Sequence, residues 1–409
     1  MEHQHSYPKN KIKFLLLENI HAAACEALGA AGYNVKEVGK ALDSQELLQE
    51  IEDTHVLGIR SKTKVTAEHI ARAKKLLAIG CFGVGTNQVD LKAAAKAGIP
   101  VFNAPYSSTR SVAELALGDI LMLARHAGDV NNKMHAGRWE KSAKGSFEIR
   151  NKTLGLIGYG HIGQQVGLLA ESVGMKVIFY DVTKRLPLGN AVPTEHFDEL
   201  LARADFLSLH VPAQAGGKAL LAEKELAKMK KGACLINLSR GSLVDLNALR
   251  AALESGALRG AALDVFPDEP ESNNADFSCP LAGVKNVVMT PHIGGSTEEA
   301  QRNIGLEVAD AFIKFIDAGV SVGAVNFPQV ALPAFPESHR ILYIHKNVPG
   351  AALEINSVVS GIGANINAQY LSTQGDVGYM IMDLDKALAT EVKDRIASLP
   401  NNIRTRLLF

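Results

Sequence analysis

Residues 153–163 read TLGLIGYGHIG, and this stretch predicts the fold of the middle of the chain. The run 153–157 is apolar and predicts a buried strand, while residues 162–173 have the periodicity of a helix. Between them, Gly158, Gly160 and Gly163 have the spacing GxGxxG. A strand, a glycine-rich turn and a helix in this order are typical of a dinucleotide-binding βαβ unit.

The glycines permit a tight turn and bring the backbone close to a pyrophosphate, which the N-terminal end of the helix attracts. Asp181 ends the next predicted strand, 23 residues after Gly158. A carboxylate there accepts hydrogen bonds from ribose hydroxyls and repels a 2′-phosphate. The sequence therefore predicts NAD rather than NADP as the cofactor, and the competing interpretation is a plain tight turn without a ligand.

Other apolar runs extend this pattern into two α/β units. The strands predicted in the second unit cover residues 153–157, 176–180, 206–210, 234–237, 260–265 and 286–290. Those predicted upstream cover residues 12–17, 56–60, 77–81 and 101–103. Helical patterns between the strands favour parallel pairing in doubly wound sheets. An apolar helix predicted at 297–316 is expected to return to the first unit, which makes that unit discontinuous.

A small third domain is predicted beyond residues 328–336, where three prolines in nine residues are typical of a linker. Its patterns follow the order βαββαβ, at residues 340–345, 350–361, 365–373, 377–384, 390–399 and 403–408. That order is the ferredoxin-like arrangement. The predicted fold class is thus α/β, with two doubly wound parallel sheets and one ferredoxin-like domain.

Composition excludes several functional classes. Forty-three basic residues balance 43 acidic ones, so no charge pattern points to nucleic acid. No apolar stretch reaches the roughly 20 residues of a membrane helix, and the polar start lacks the apolar core of a signal peptide. Four widely spaced cysteines favour neither a disulfide framework nor a metal site. We therefore expect a cytoplasmic protein with no membrane or nucleic-acid partner and no metal.

Three polar residues, Arg240, Glu269 and His292, follow the ends of three predicted strands. Ligands bind outside the carboxyl ends of parallel strands, so we expect these side chains to converge. An arginine can hold a carboxylate bidentately, a histidine can move the hydroxyl proton, and a carboxylate can orient the imidazole and raise its pKa. Beside a nicotinamide, this set predicts oxidation of a 2-hydroxy acid by hydride transfer.

Taken singly, such residues are usually solvated surface groups. His210, at the end of another predicted strand, is an alternative acid/base group. We rank it below His292 because no carboxylate follows it in a comparable loop.

The motifs around these residues resemble those of the D-isomer-specific 2-hydroxyacid dehydrogenase family over nearly the whole chain. They are GYGHIG at 158–163, NLSRGSLVD at 237–245, DVFPDEP at 264–270 and HIGGSTEEA at 292–300. The resemblance implies that His292 is the proton donor and acceptor, with Arg240 and Glu269 as its catalytic partners. It implies cofactor contacts at Gly158, Gly160, His161, Ile162, Gly163, Asp181, Leu238, Ser239, Arg240, Asp264, His292, Ile293, Gly294 and Gly295.

The resemblance also implies the domain boundaries. They are a substrate-binding domain over 1–107 and 296–333, an NAD-binding Rossmann domain over 108–295 and a regulatory ACT domain over 334–409. Arg60, Ser61 and Lys62 are expected to meet an anionic substrate together with Arg240, although Arg60 and Lys62 also fit as solvated surface residues. The loop 83–90 is one residue longer than the family pattern, which puts its backbone contacts in doubt.

The implied reaction is the NAD-dependent oxidation of D-3-phosphoglycerate to 3-phosphohydroxypyruvate, which opens L-serine biosynthesis, with reduction of 2-oxoglutarate as a second activity. The ACT-like segment implies a homotetramer with L-serine as effector, bound by His345, Asn347 and Asn365. The two asparagines also fit as caps of the neighbouring helix and turn. Two alternatives stay open: a different D-2-hydroxy acid as substrate, and a non-enzymatic module that senses NAD(H).

Overall fold

The computed structural model describes residues 7–270, 275–335 and 337–409. Packing divides the chain into two units, one made of the chain up to Ser107 together with Gln301–Phe409 and the other made of Ser108–Ala300. The predicted α/β fold class is confirmed.

In the first unit, short apolar strands form a parallel sheet in the order β2-β1-β3-β4-β5 within the described residues. The strands are β1 (Lys13–Leu17), β2 (Asn34–Val38), β3 (Val56–Ile59), β4 (Ala78–Cys81) and β5 (Val101–Asn103). The helices are α1 (Ala22–Ala30), α2 (Ser44–Ile51), α3 (Ala67–Arg72) and α4 (Leu91–Lys96). The sequence analysis missed β2, because this edge strand is exposed or half-buried and has no apolar run.

The second unit holds a parallel sheet whose described strands lie in the order β12-β11-β10-β9-β6-β7-β8. Its strands are β6 (Thr153–Ile157), β7 (Lys176–Tyr180), β8 (Val192–Pro193), β9 (Phe206–Leu209), β10 (Cys234–Asn237), β11 (Gly260–Leu263) and β12 (Val287–Met289). Its helices are α5 (Thr109–Arg125), α6 (Ala127–His135), α7 (His161–Ser172), α8 (Phe197–Arg203), α9 (Glu223–Leu226) and α10 (Leu246–Glu254). The strand order reverses beside β6, which is where doubly wound sheets bind ligands.

The long helix α11 (Glu298–Ala318) supplies much of the core of the first unit. Its Val308 and Phe312 are fully buried and belong to the same hydrophobic cluster as Phe14 and Phe102. A Cβ atom on Gly80 of β4 would clash with the Phe312 ring, so this glycine lets the helix approach the sheet closely. Among the described residues, no helix combines the length and apolarity needed to cross a bilayer.

The end of the chain forms an antiparallel sheet in the order β14-β15-β13-β16 across its described strands, as the predicted ferredoxin-like arrangement requires. Its elements are β13 (Ser338–Lys346), α12 (Ala351–Ile362), β14 (Ile366–Gln374), β15 (Val377–Asp385), α13 (Ala389–Ala397) and β16 (Asn402–Leu408). Pro336, the last proline of the predicted linker, lies outside the described residues.

The antiparallel and parallel sheets of the first unit share one hydrophobic cluster, in which Leu342 and Tyr379 pack with Phe315 of α11. Polar groups tie the antiparallel sheet to the C-terminal end of α11, because the Tyr379 hydroxyl donates to Gly319 O at 2.6 Å and Arg340 donates to Ala318 O at 3.0 Å. These bonds satisfy carbonyls that a helix end leaves without intrahelical partners. The three domain boundaries expected from the sequence stay a prediction.

Candidate active site

The glycine-rich turn lies between β6 and α7, and close backbone contacts leave no room for a side chain at Gly158 or Gly163. Gly158 has a φ of +89°, and a Cβ atom on it would crowd His210 O. A Cβ atom on Gly163 would overlap Gly158 O. The turn therefore packs backbone against backbone at the start of α7, where free N–H groups favour an anion.

The Asp181 carboxylate is held beside this turn. It accepts hydrogen bonds from Tyr159 N and Thr183 N, both at 2.8 Å, and the Arg185 Nε atom lies 3.5 Å from its Oδ2 atom. Each carboxylate oxygen has further lone pairs that can accept from ribose hydroxyls. These residues fit a dinucleotide cofactor, with the pyrophosphate at the turn and the adenosine ribose at Asp181.

We expect Asp181→Ala to shift cofactor preference from NADH toward NADPH by about 10- to 100-fold, the size expected for a lost hydrogen bond to a charged group. The carboxylate that repels a 2′-phosphate disappears, and Arg185 becomes available to pair with that phosphate. The ratio of kcat/KM for the two cofactors measures the shift. Asp198→Ala, an exposed change in the same unit, should leave the ratio unchanged, and an unchanged ratio in Asp181→Ala would contradict the assignment.

The loops after β10 and β11 lie against each other. A Cβ atom on Gly241 would clash with the Phe266 carbonyl and with Pro267 N. Buried Asn237 shapes the first loop, because its Nδ2 donates to Arg240 O at 2.9 Å and its Oδ1 accepts from Ser239 N at 3.1 Å. Sequence reasoning missed Asn237, although a polar residue ending an otherwise apolar strand was the available signal.

Glu269 and His292 form a direct hydrogen bond, with 2.8 Å between Nδ1 of His292 and Oε2 of Glu269. Phe266 N donates to the other carboxylate oxygen at 3.1 Å and fixes the position of Glu269. Because Nδ1 donates to the carboxylate, Nε2 of His292 is left to face a substrate hydroxyl.

The hydrogen bond also shifts the pKa values of both residues. It raises the pKa of His292 above its usual value, against the effects of burial and of the nearby Arg240 charge. Burial alone would raise the pKa of Glu269, but its bonds to His292 and Phe266 N outweigh burial and hold that pKa below its usual value. The structure therefore places a charged carboxylate against an imidazole that is ready to accept a proton.

Asp264 holds the loop that carries His292. Its buried carboxylate accepts from the Thr290 hydroxyl at 2.6 Å, from Ile293 N at 2.8 Å and from Gly294 N at 2.8 Å. His292 has a φ of +54°, a left-handed conformation that these flanking bonds fix. The sequence analysis expected Asp264 only as a cofactor contact and did not single out Thr290.

His210 is a poor alternative to His292. Burial lowers its pKa to about 4, and its Nε2 lies 2.9 Å from the Ser208 hydroxyl. Such an imidazole is neutral near pH 7 and gains no proton affinity from a carboxylate. The geometry favours His292, as the sequence analysis did.

The predicted substrate residues Arg60, Ser61 and Lys62 lie in the first unit, directly after β3. Arg60 is half-buried, whereas Ser61 and Lys62 are exposed. In the longer loop that follows β4, Asp90 caps α4 through Ala93 N at 2.9 Å. The cationic side chains of residues 60 and 62 lie close together on the loop after β3, where they can recognise an anion.

The predicted effector residues lie in the antiparallel sheet and the loops around it. His345 is buried, with Nδ1 2.8 Å from Lys346 O, and within the described residues its Nε2 has no hydrogen-bond partner. Asn347 is exposed and donates to Gly375 O at 2.9 Å, so it also stabilises the turn before β15. Asn365 donates to Asn367 Oδ1 at 2.9 Å.

Comparisons with known proteins agree with this chemistry. A family profile described as D-isomer specific 2-hydroxyacid dehydrogenase, NAD binding domain, matches residues 117–294. The chain is 52% identical over 407 residues to a D-3-phosphoglycerate dehydrogenase of Escherichia coli (strain K12), covering 99% of both chains. It is 50% identical over 404 residues to a D-3-phosphoglycerate dehydrogenase of Dictyostelium discoideum, again covering 99% of both.

Solved structures show the same likeness over a shorter span. The D-lactate dehydrogenase of Aquifex aeolicus, solved with NAD and lactic acid, is 29% identical and superposes with a TM-score of 0.67. The match covers 76% of this chain and 99% of that one.

Proposed function

The chain belongs to the D-isomer-specific 2-hydroxyacid dehydrogenase family of NAD-dependent oxidoreductases, and we propose that it oxidises D-3-phosphoglycerate to 3-phosphohydroxypyruvate. This reaction opens L-serine biosynthesis. The observation that carries the chemistry is the 2.8 Å hydrogen bond between Glu269 and His292. The choice of substrate rests on the names of the full-length relatives.

His292 is the group that takes the proton from the substrate C2 hydroxyl, through Nε2. Glu269 stabilises the imidazolium that results, because its carboxylate already accepts from Nδ1. Arg240 holds the substrate carboxylate through its planar fork of N–H donors. A cofactor held at the glycine-rich turn would supply the nicotinamide ring as the acceptor of the C2 hydride.

We assign the cofactor to the turn at Gly158, Gly160 and Gly163 and to Asp181. The support is the absence of space for side chains at Gly158 and Gly163, together with the fixed carboxylate beside them. Further contacts are proposed for His161, Ile162, Leu238, Ser239, Asp264, Ile293, Gly294 and Gly295.

For the phosphate of the substrate we propose Arg60, Ser61 and Lys62. Two cations and a hydroxyl on one short loop match the charge and oxygen acceptors of a phosphate monoester. A dicarboxylic acid offers similar charge, which supports slow reduction of 2-oxoglutarate as a second activity.

The direct test follows NADH absorbance with purified enzyme and 3-phosphohydroxypyruvate, hydroxypyruvate or 2-oxoglutarate. We expect 3-phosphohydroxypyruvate to have the highest kcat/KM of the three. A higher value for another acid would reassign the substrate. Tight NADH binding without turnover of any acid would favour a sensing module.

We also propose feedback inhibition by L-serine through His345, Asn347 and Asn365, in a homotetramer. Regulation is supported by the buried Nε2 of His345, which has no hydrogen-bond partner within the described residues. Assembly is supported by exposed apolar side chains on and after α5 and α6, at Leu121, Val130, Met134 and Trp139. Four free thiols support a reducing compartment, the cytoplasm.

Light scattering should give four times the 43.7 kDa of one chain, and L-serine should lower the rate in the same NADH assay.

A further inference from the structure

A buried carboxylate organises the loop of residues 60–63, which follows β3. Glu18 comes directly after β1, and 7% of its surface is exposed. Its Oε1 accepts from Arg60 N at 3.2 Å and from Thr63 N at 2.8 Å, while its Oε2 accepts from Lys62 N at 3.0 Å. One side chain from a neighbouring strand end therefore satisfies three backbone donors of the loop.

The backbone at Glu18 is itself unusual. Glu18 and Asn19 have φ values of +65° and +50°, in the left-handed region that non-glycine residues seldom occupy. Glu18 N donates to Val38 O at 3.0 Å, which holds the residue in that conformation. Strained residues of this kind persist where the surroundings fix them, and they concentrate at functional sites.

Gln88 holds the same loop from a second direction. Its Nε2 donates to Arg60 O at 2.5 Å and to Gly85 O at 3.3 Å. The N–H and the C=O of Arg60 are thus each bound by a side chain, from Glu18 and Gln88 respectively. These two contacts fix the backbone of Arg60.

The Glu18 carboxylate lies beside the proposed phosphate site, where an uncompensated negative charge would repel the phosphate. Here the described contacts of Glu18 with residues 60–63 are to backbone N–H groups. These donors offset its charge, and the guanidinium of Arg60 and the ammonium of Lys62 stay available to a ligand. A neutral apolar residue at position 18 would instead leave the loop's N–H groups without their acceptor.

We propose that Glu18 is a positioning residue for the substrate phosphate. It orders residues 60–63 so that Arg60 and Lys62 meet the phosphate without prior loop rearrangement. Ordering a loop before binding removes an entropic cost from binding itself, so the effect should appear in KM. This inference rests on the proposed function, in which this loop recognises phosphate.

The test compares Glu18→Gln with wild type. Glutamine has similar volume but one acceptor oxygen, so at least one of the three loop bonds is lost. We expect KM for 3-phosphohydroxypyruvate to rise about 10-fold, the scale of one hydrogen bond to a charged group. KM for hydroxypyruvate, which lacks the phosphate, should change less than about 2-fold, as should kcat with either substrate. Glu50→Gln, which removes the Lys36 ion pair in the same unit, is the matched control and should change none of these constants.

Arg60→Ala separates failure of this inference from failure of the proposed substrate site. If Arg60→Ala raises KM for the phosphorylated substrate alone but Glu18→Gln does not, Glu18 has no positioning role and the substrate assignment stands. If Arg60→Ala affects both substrates equally, the phosphate assignment of the loop fails.

A second variant and a second measurement test the positioning role of Glu18, so that a folding defect in Glu18→Gln does not prevent the test. Gln88→Ala removes the second support of Arg60 and should produce the same KM rise, confined to the phosphorylated substrate. Hydrogen exchange at the amides of Arg60, Lys62 and Thr63 should accelerate in Glu18→Gln relative to wild type. Unchanged exchange in a folded Glu18→Gln protein would overturn the proposal. If Glu18→Gln does not fold, unchanged KM in Gln88→Ala would overturn it.

Discussion

Replacing His292 by asparagine is expected to lower turnover by roughly 10²–10⁴-fold, the usual contribution of a general acid/base. Asparagine cannot exchange a proton with the substrate hydroxyl near pH 7, and Glu269 then has no imidazolium to stabilise. The kcat from NADH absorbance with saturating 3-phosphohydroxypyruvate measures the loss. Fluorescence titration should show that NADH binding survives, because the glycine-rich turn and Asp181 are untouched.

His196→Asn is the matched control, since His196 is exposed in the same unit. It should retain wild-type turnover. His210→Asn is the more informative comparison, because His210 is the competing candidate. A large loss in His210→Asn together with near wild-type turnover in His292→Asn would transfer the acid/base role.

The largest expected effect on stability comes from Asp383→Ala. Asp383 and Arg340 form a buried bidentate ion pair between β15 and β13, with two N···O distances of 2.7 Å. Removing the carboxylate leaves a buried guanidinium without its counter-charge, which typically costs about 3–5 kcal/mol. The carbonyls of Ala318, Leu332 and Pro333 still accept from Arg340, so we expect a value near the lower end. Thermal unfolding followed by circular dichroism measures the loss as a fall in Tm.

Asp385→Ala controls for the loss of any aspartate from β15, because Asp385 is exposed and its carboxylate accepts a 3.1 Å hydrogen bond from Asn367. It should shift Tm little. The double variant Arg340→Met with Asp383→Leu should recover part of the stability, since no charge is left buried. A Tm for Asp383→Ala equal to that of Asp385→Ala would contradict the role given to the ion pair.

The sequence predicts those features that depend on local patterns. Apolar runs identify the buried strands of both parallel sheets, and the spacing of Gly158, Gly160 and Gly163 identifies the tight turn between β6 and α7. The edge strand β2 was missed because its burial pattern carries no apolar signal. Local patterns therefore identify central strands better than edges.

Side chains that act across the fold were harder to predict. The three strand-end residues Arg240, Glu269 and His292 were singled out because strand ends of a parallel sheet share one edge. Glu18 and Asn237 were not singled out, since their partners are backbone groups of loops. In the sequence, nothing marks which N–H groups a carboxylate or amide will meet 42 to 45 residues away, as Glu18 does.

We propose that Glu269 and His292 handle the substrate proton as a pair, and the pH dependence of kcat/KM for reduction tests this coupling. Reduction needs His292 protonated, so the rate should fall as pH rises through its pKa. Glu269 raises that pKa, so Glu269→Gln should move the fall to lower pH than in wild type. A fall at the same pH in both proteins would contradict the claim.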